Sequence, residues 1–305
     1  MQRFLIRRFI LILVTLVAVS MIIFVMVRLG GDPRSLLLDD YAGAQQWEDL
    51  GAELGLDKPY YHQYAIFMKG VLQGDLGDSI ELRYPVTSVI KEHLWATFEL
   101  GIVAFLLSLV VGIPLGVLSS IHRGSILDQF AKALALIGQS APSFWLGIMF
   151  MFWFAVGLGW VPPSGRQEWN SIILPAMTLS WVFIAGNLRI MRSAMLDVLD
   201  SEYIKLARAK GVSTRSIIWK HAFRTALIPP LTFAGVNMSA LMTGSVTTEL
   251  VFAWPGIGQL AIQSMWSSDY PLLQGITIVF TLMYLGGTLV VDVLYGFVDP
   301  RIRYT

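Results

Sequence analysis

Six stretches of this 305-residue chain contain no Asp, Glu, Lys or Arg: Phe9–Val27, Leu100–Ile121, Ala133–Val161, Ser171–Leu188, Thr225–Thr248 and Tyr270–Val291. A helix needs about 20 apolar residues to cross a bilayer, with a range of about 17–25. Each stretch reaches that range. Only 14% of the residues are charged, against about 25% in ordinary globular domains, and the charges are segregated between the apolar runs. Lipid offers no partner for free backbone groups, so these runs predict helices. The expectation is an all-α membrane protein with six transmembrane helices. Arg3, Arg7 and Arg8 precede the first run as they would a signal peptide. That run continues to Arg28, however, and its small-residue Ala18-Val19-Ser20 lies inside it, so it reads as a retained helix.

The net charge of +1 conceals an asymmetry. With the N-terminus in the cytoplasm, six crossings return the C-terminus to the same side. The cytoplasmic segments then hold 15 of the 22 Lys and Arg residues, eight of them between Arg189 and Arg224, with Arg301 and Arg303 at the end. Six of the other seven lie between residues 28 and 97, a segment long enough to be translocated despite its charge. The topology predicted is N-in, C-in. Basic loops that bind nucleic acid fit poorly, because the positive charge is scattered among membrane-flanking segments.

The chain is thereby organised as an N-terminal transmembrane helix (1–28), a large extracytoplasmic segment (29–97) and a five-helix core (98–305). The core carries a cytoplasmic loop at 189–224 and an extracytoplasmic loop at 249–269. In the outer segment Tyr60, Tyr64, Phe67 and Val71 recur at helical spacing. They predict an amphipathic helix from about Pro59 to Leu72, ended by Gly74 and Gly77 and packed as a cap. Gly112 and Gly116 form a small-xxx-small pair suited to close helix packing. Prolines at 114, 142, 175, 229 and 230 interrupt or border the apolar runs.

Catalytic chemistry is sparse. The four histidines are dispersed, there is no cysteine, and no pair has metal-ligand spacing. Gly256–Ala261 matches a dinucleotide-binding glycine pattern by letter only, since no strand precedes it. A phosphate-binding GxxxxGK[ST] loop does not occur in the sequence. The chain is expected to be no enzyme and to hold no cofactor or metal. Glu99 and Glu249 fall at the outer ends of apolar runs, where hydration explains them. Asp292 lies within the last helix, where the choices are an ion pair with Arg189 or Arg192, or transport chemistry.

Ser201–Gly211, SEYIKLARAKG, is a charged interruption on the cytoplasmic side. Ser201 suits an N-cap, Glu202 a first turn and Gly211 the position after a helix end. The stretch predicts a helix of two to three turns. Tyr203, Ala207 and Lys210 fall on one face, and the alanines at 207 and 209 keep the helix thin. Ser213 then caps a second helix leading to Pro229-Pro230. Two readings stand: a surface that docks in a protein cleft, or a solvated basic face.

The run YIKLARAKGVSTRSIIWKHAFRTALIPPLT resembles the cytoplasmic signature loop of permease subunits of bacterial ABC importers, in the dipeptide/oligopeptide/nickel subfamily. RRF near the start, GDP at Gly31–Pro33, LGLDKPYYHQY, GDLGDS, ELVFAWPGIGQL, the DYP at Asp269–Pro271 and the terminal VDPRIRY agree along the whole chain. The general importer pattern departs at one place. It would set Glu where Lys205 stands and Ala where Leu206 stands, so only Ala207 and Gly211 match it.

The resemblance implies a type I importer fold and a multi-pass place in the bacterial or archaeal cytoplasmic membrane. It also implies partners: a homologous second permease, two ATP-binding subunits that carry ATP and Mg, and an extracytoplasmic solute-binding lipoprotein. Tyr203, Ala207, Arg208, Lys210 and Gly211 would form the coupling helix seated on an ATPase subunit. Asn237, Ala240, Gly244 and Thr248 recur at helical spacing in the fifth run, which suits helix packing or a translocation path, with Asn237, Gly244 and Thr248 the candidates for the latter. The outer loop, with Trp254, Pro255, Gly256 and Gln259, would face the binding protein and its substrate. The alternative to an importer subunit is a carrier or channel that works alone.

Overall fold

The computed structural model describes residues 2–29, 34, 38, 43–53, 57–243 and 245–298. Gly244, the Gly31–Pro33 turn, Leu54–Leu56 of the LGLDKP motif, and residues 299–305 with Arg301 and Arg303 lie outside the described residues. The described residues are helical apart from turns and one isolated bridge, Asp78 to Pro85.

In chain order the helices are α1 (Gln2–Leu29), α2 (Ala44–Glu53), α3 (Tyr60–Gln73), α4 (Val86–Ile121), α5 (Ile126–Ser140), α6 (Ser143–Phe150), α7 (Ile173–Leu199), α8 (Glu202–Ala209), α9 (Thr214–Ser216), α10 (Phe223–Ala226), α11 (Ile228–Thr243), α12 (Val246–Val251), α13 (Ile257–Trp266) and α14 (Tyr270–Val298). A π-helical segment, Met151–Gly157, continues α6, and another, Ile217–Ala222, joins α9 to α10. The chain divides into two compact units, one of residues 1–97 and 255–305 and one of residues 98–254.

Among the described residues four helices are long and apolar enough to cross a membrane: Ile6–Leu29, Val86–Ile121, Trp169–Leu199 and Tyr270–Val293. A fifth arises if the pair Ile126–Ser140 and Ser143–Gly157 counts as one span, though the chain bends by 117° between its halves. Pro142 causes the break. The residue before a proline is driven out of the helical region, and Ala141 is extended at φ −82°, ψ 133°. The expected third span, Ala133–Val161, is therefore two helices. The expected fifth span, Thr225–Thr248, is divided as well. Pro229 and Pro230 cannot donate to the carbonyls of Thr225 and Ala226, so α11 begins there and has 16 residues.

In the first unit α1 packs along α14, and Arg8 pairs with Asp292. This corrects the expected pairing of Asp292 with Arg189 or Arg192; each of those arginines is engaged elsewhere. The α3 helix starts and ends one residue later than expected, and Gly74 closes it in the left-handed conformation at φ 79°. Its Tyr64 and Phe67 pack on Phe24 of α1 with centroids 5.5 and 5.9 Å away, and Tyr64 Oη lies 2.9 Å from Ser20 Oγ. Tyr60 and Tyr61, by contrast, are exposed. Asp269 caps α14 by accepting from the Leu272 N–H at 3.2 Å, and it also accepts from Ser79 Oγ and the Glu81 N–H. A core of Val86, Ile90, Ile257, Leu260, Leu272 and Ile276 surrounds that cap.

In the second unit α7 is the central helix, packed by α5, α6 and α11. Small residues allow this crowding. A Cβ on Gly112 would lie 2.8 Å from Asn187 Cβ and 2.9 Å from the Ile184 carbonyl oxygen, and one on Gly116 would lie 2.7 Å from the Leu188 carbonyl oxygen. The Gly112–Gly116 pair thus seats α4 against α7, as its spacing predicts. Gly138 meets Ala185, and Gly186 receives the ring of Phe233.

Candidate functional site

Ser201 takes an N-cap backbone conformation, φ −70° and ψ 153°, and α8 follows from Glu202. The Ser201 hydroxyl does not cap the helix; it donates instead to the Val198 carbonyl. At the other end Gly211 is left-handed at φ 76°. Its N–H bonds the Arg208 carbonyl at 3.0 Å, and the Val212 N–H bonds the Ala207 carbonyl at 3.1 Å. These two bonds make a Schellman motif, in which glycine avoids the strain that a Cβ meets at positive φ.

The helix is pinned by one residue. Ile204 is fully buried in a core of Ile113, Met191, Met195, Ile217 and Ala222, and Ala207 and Val212 pack at its edge. Ala207 is therefore half-buried beneath the helix, whereas Tyr203, Leu206, Arg208 and Lys210 are exposed. The face expected to hold Tyr203, Ala207 and Lys210 divides accordingly: Ala207 faces inward with Ile204, and the other two face outward. Lys205 is tied to Glu202 at 2.7 Å, leaving Arg208 and Lys210 as the cations at the exposed end. Trp219 is exposed and meets Phe223 in a tilted ring contact with centroids 5.5 Å apart. The result is a small basic knob on a rigid apolar base.

The residues proposed for a translocation path are only partly gathered. Asn237 is half-buried on α11, and its amide donates to the Phe233 carbonyl of its own helix at 2.8 Å. Thr248 is buried on α12. Glu249 beside it is fully buried and accepts from Ser245 Oγ at 2.7 Å, which corrects the expectation of a hydrated carboxylate at a helix end. Sequence reasoning missed Asn187, the lone amide in the Ser171–Leu188 run. It is fully buried on α7, its amide nitrogen is 3.5 Å from Ser108 Oγ, and its Oδ1 has no partner among the described residues. It also missed Asp128, which is fully buried at the start of α5. Arg192 of α7 grips Asp128 at 2.7 and 3.2 Å, Lys132 lies 2.8 Å away, and Ser119 Oγ and the Gly124 N–H complete the shell. Its signal was available: Asp128 and Lys132 are spaced i, i+4 directly after a serine cap.

The loop between α12 and α14 is folded. In the second unit Trp254 is buried, with the Arg166 guanidinium 5.7 Å from its ring and Arg166 also paired to Glu99 at 2.7 Å. In the first unit Gly256 is buried, Pro255 and Gln259 are half-buried, and Ile257 N–H donates to Thr97 Oγ1 at 2.9 Å. The exposed side chains of α13 are Gln263, Met265 and Trp266. A cavity of about 560 Å³ opens beside them, lined by Glu81, Gln263, Ser264 and Trp266 among others. Among the described residues no group of three or more His, Cys, Asp or Glu side chains could hold a metal ion.

Residues 112–304 match the family described as "Binding-protein-dependent transport system inner membrane component", and residues 1–100 match its N-terminal companion. The chain is 37% identical over 305 residues to the glutathione transport system permease protein GsiC of Escherichia coli K12, with both chains covered completely. It is 36% identical to the dipeptide transport system permease protein DppB of the same organism, covering all of this chain and 99% of that one. Among solved structures, the inward-facing MetNI methionine ABC transporter aligns with 67% of this chain and 95% of its own, at TM-score 0.52 and 22% identity. A chain of an amino acid ABC transporter with histidines aligns with 68% and 93%, at TM-score 0.55 and 14% identity. At such identities the structures speak to the fold alone.

Proposed function

The chain belongs to the binding-protein-dependent transport system inner membrane components, and from that premise we propose that it is the permease subunit of an ATP-driven importer of peptides. Small peptides, dipeptides and glutathione among them, are the substrate class that its relatives' names support. Six crossings with both termini in the cytoplasm remain the topology that best suits its basic residues. On this reading the bent α5–α6 pair, which could count as a fifth span, and the proline-divided α10–α11 segment would be the two crossings beyond the four long helices.

The permease itself carries no catalytic step, and the hydrolysis of ATP with Mg belongs to two separate ATPase subunits. The observation that carries this reading is the architecture of α8. A helix of eight residues, anchored through Ile204 and closed by Gly211, presents Tyr203, Leu206, Arg208 and Lys210 on a rigid base. Such a knob suits a cleft of another protein, because its anchor transmits force to α7 through Met191 and Met195. Closure of two ATPase subunits would draw two such knobs together and rotate the permeases as rigid bodies. A homologous second permease supplies the other knob.

On the outer side a solute-binding protein would dock on the exposed residues of α13, with Trp254, Pro255, Gly256 and Gln259 holding the loop's shape. Asn237, Gly244 and Thr248 stay candidates for the translocation path, joined by Asn187. The coupling role is tested by Ala207→Leu and Gly211→Val in the complete complex. Membrane insertion should persist, while uptake and the ATPase stimulation by loaded binding protein should be lost together. Normal stimulation in both variants would contradict a coupling role for α8.

A further inference from the structure

A cavity of about 340 Å³ opens between α5 and α7 in the second unit, and three of the five polar residues on its wall are cations. Lys132, Arg189 and Arg192 line it, with Gln139, Leu136 and Leu188. Two of the three cations already share a carboxylate, since Arg192 and Lys132 both bind Asp128. Arg189 does not. Among the described residues its partner is the neutral Gln139, whose Oε1 accepts from Arg189 Nη1 at 2.7 Å. Gln139 also brings two amide N–H donors to the cavity.

Three cations line this cavity and two of them share the single Asp128 carboxylate, so the site carries two positive charges in excess. A guanidinium on a membrane helix is costly unless it pairs or faces water. The complement of such a wall is a group of acceptor oxygens carrying negative charge.

The site also has an apolar side that decides between a free anion and a tethered one. Leu136 lies one turn from Lys132, is 69% exposed and borders the cavity, while Leu188 forms its buried floor. Ile126, Phe130 and Ile137 extend the exposed apolar surface along α5. Cationic donors beside an uncovered apolar strip match a phosphate joined to an acyl chain. Pairing of one basic residue with an anionic lipid at the membrane surface is worth about fivefold in binding.

We infer that the α5–α7 cavity binds the phosphate of an anionic phospholipid of the inner leaflet through Lys132, Arg189 and Arg192, with an acyl chain lying on Leu136. This rests on the reading of the Arg189–Leu199 end of α7 as cytoplasmic.

The test is native mass spectrometry of the full-length chain, purified from micelles that contain equal phosphatidylglycerol and phosphatidylcholine. Wild type should retain phosphatidylglycerol preferentially, and excess inorganic phosphate should not displace it. Arg189→Gln should lower that retention about fivefold, and Arg189→Lys should keep most of it. Leu136→Asp, an exposed change that spares the core, should lower it independently. Equal retention of the two lipids, unchanged retention in both Arg189→Gln and Leu136→Asp, or displacement by inorganic phosphate would overturn the proposal. ATP-driven uptake measured alongside separates the two readings. Intact uptake with lipid retention unaffected by these substitutions removes the lipid site and leaves the importer standing.

Discussion

The guanidinium of Arg192 holds both carboxylate oxygens of Asp128, at 2.7 and 3.2 Å, and so ties the C-terminal part of α7 to the first turn of α5. Asp128 is fully buried, and Lys132 and Ser119 close over it at 2.8 and 2.6 Å. Removing one member of a buried pair strands the other, at a cost of roughly 3–5 kcal/mol. Asp128→Ala should therefore lower the thermal midpoint of the purified chain strongly. The double change Asp128→Leu with Arg192→Leu should be milder than either single change, because it leaves no arginine facing an absent carboxylate. Additive losses in a double-mutant cycle would show that the two do not act as a pair.

Close approach of α4 and α7 depends on two missing side chains. Gly112→Ala and Gly116→Ala each place a Cβ within 2.9 Å of backbone or Cβ atoms on α7, so each should destabilise the chain by roughly 1–3 kcal/mol. Gly286→Ala on α14 meets nothing within 4 Å and serves as the control. A thermal shift equal in all three variants would contradict this packing.

The pairing of Arg8 with Asp292 joins the first and last helices of their unit. Either residue changed to Ala should reduce the amount of folded chain recovered from membranes. The exchange Arg8→Asp with Asp292→Arg should recover most of it, since the pair is only partly buried and tolerates inversion. Recovery no better than in the single variants would mean that Asp292 acts through another group.

On α8 the exposed cations are separable from the buried anchor. Arg208→Glu with Lys210→Glu should leave the unfolding free energy within about 0.5 kcal/mol of wild type, as surface changes do. It should nevertheless weaken recovery of the ATPase subunits with the chain at low salt. Ile204→Ala should do the reverse and destabilise the fold by roughly 2–5 kcal/mol. Undiminished ATPase recovery in the charge-reversed variant would place the docking surface elsewhere.

Local features were legible in the amino-acid order. Gly211, Gly74 and the Gly112–Gly116 pair each answer to a short-range constraint, and α3 and α8 lie within a residue of their expected limits. Relationships set by packing were not legible. Nothing local distinguishes Arg8 from Arg189 or Arg192 as the partner of Asp292, because the choice depends on which helix lies beside α14. An eight-residue helix leaves its inward side undetermined until Ile204 meets the core, so Ala207 was grouped with the outward residues. Glu249 looks like a terminal residue by hydropathy, yet it sits beneath the α12 turn where Trp254 also folds inward. The breaks at Pro142 and at Pro229-Pro230 were visible as prolines, but the 117° bend at the first depends on the helices that receive its two arms.

The central claim is that this chain transports only as part of an ATP-driven assembly, and uptake by proteoliposomes tests it most directly. The chain would be reconstituted alone, and separately with its second permease, ATPase subunits and loaded binding protein, and supplied with labelled dipeptide or glutathione. The account predicts uptake by the complete assembly that requires ATP on the side of α8, and none by the chain alone. Uptake by the chain alone, driven by the solute gradient and indifferent to ATP, would contradict it and identify a stand-alone carrier.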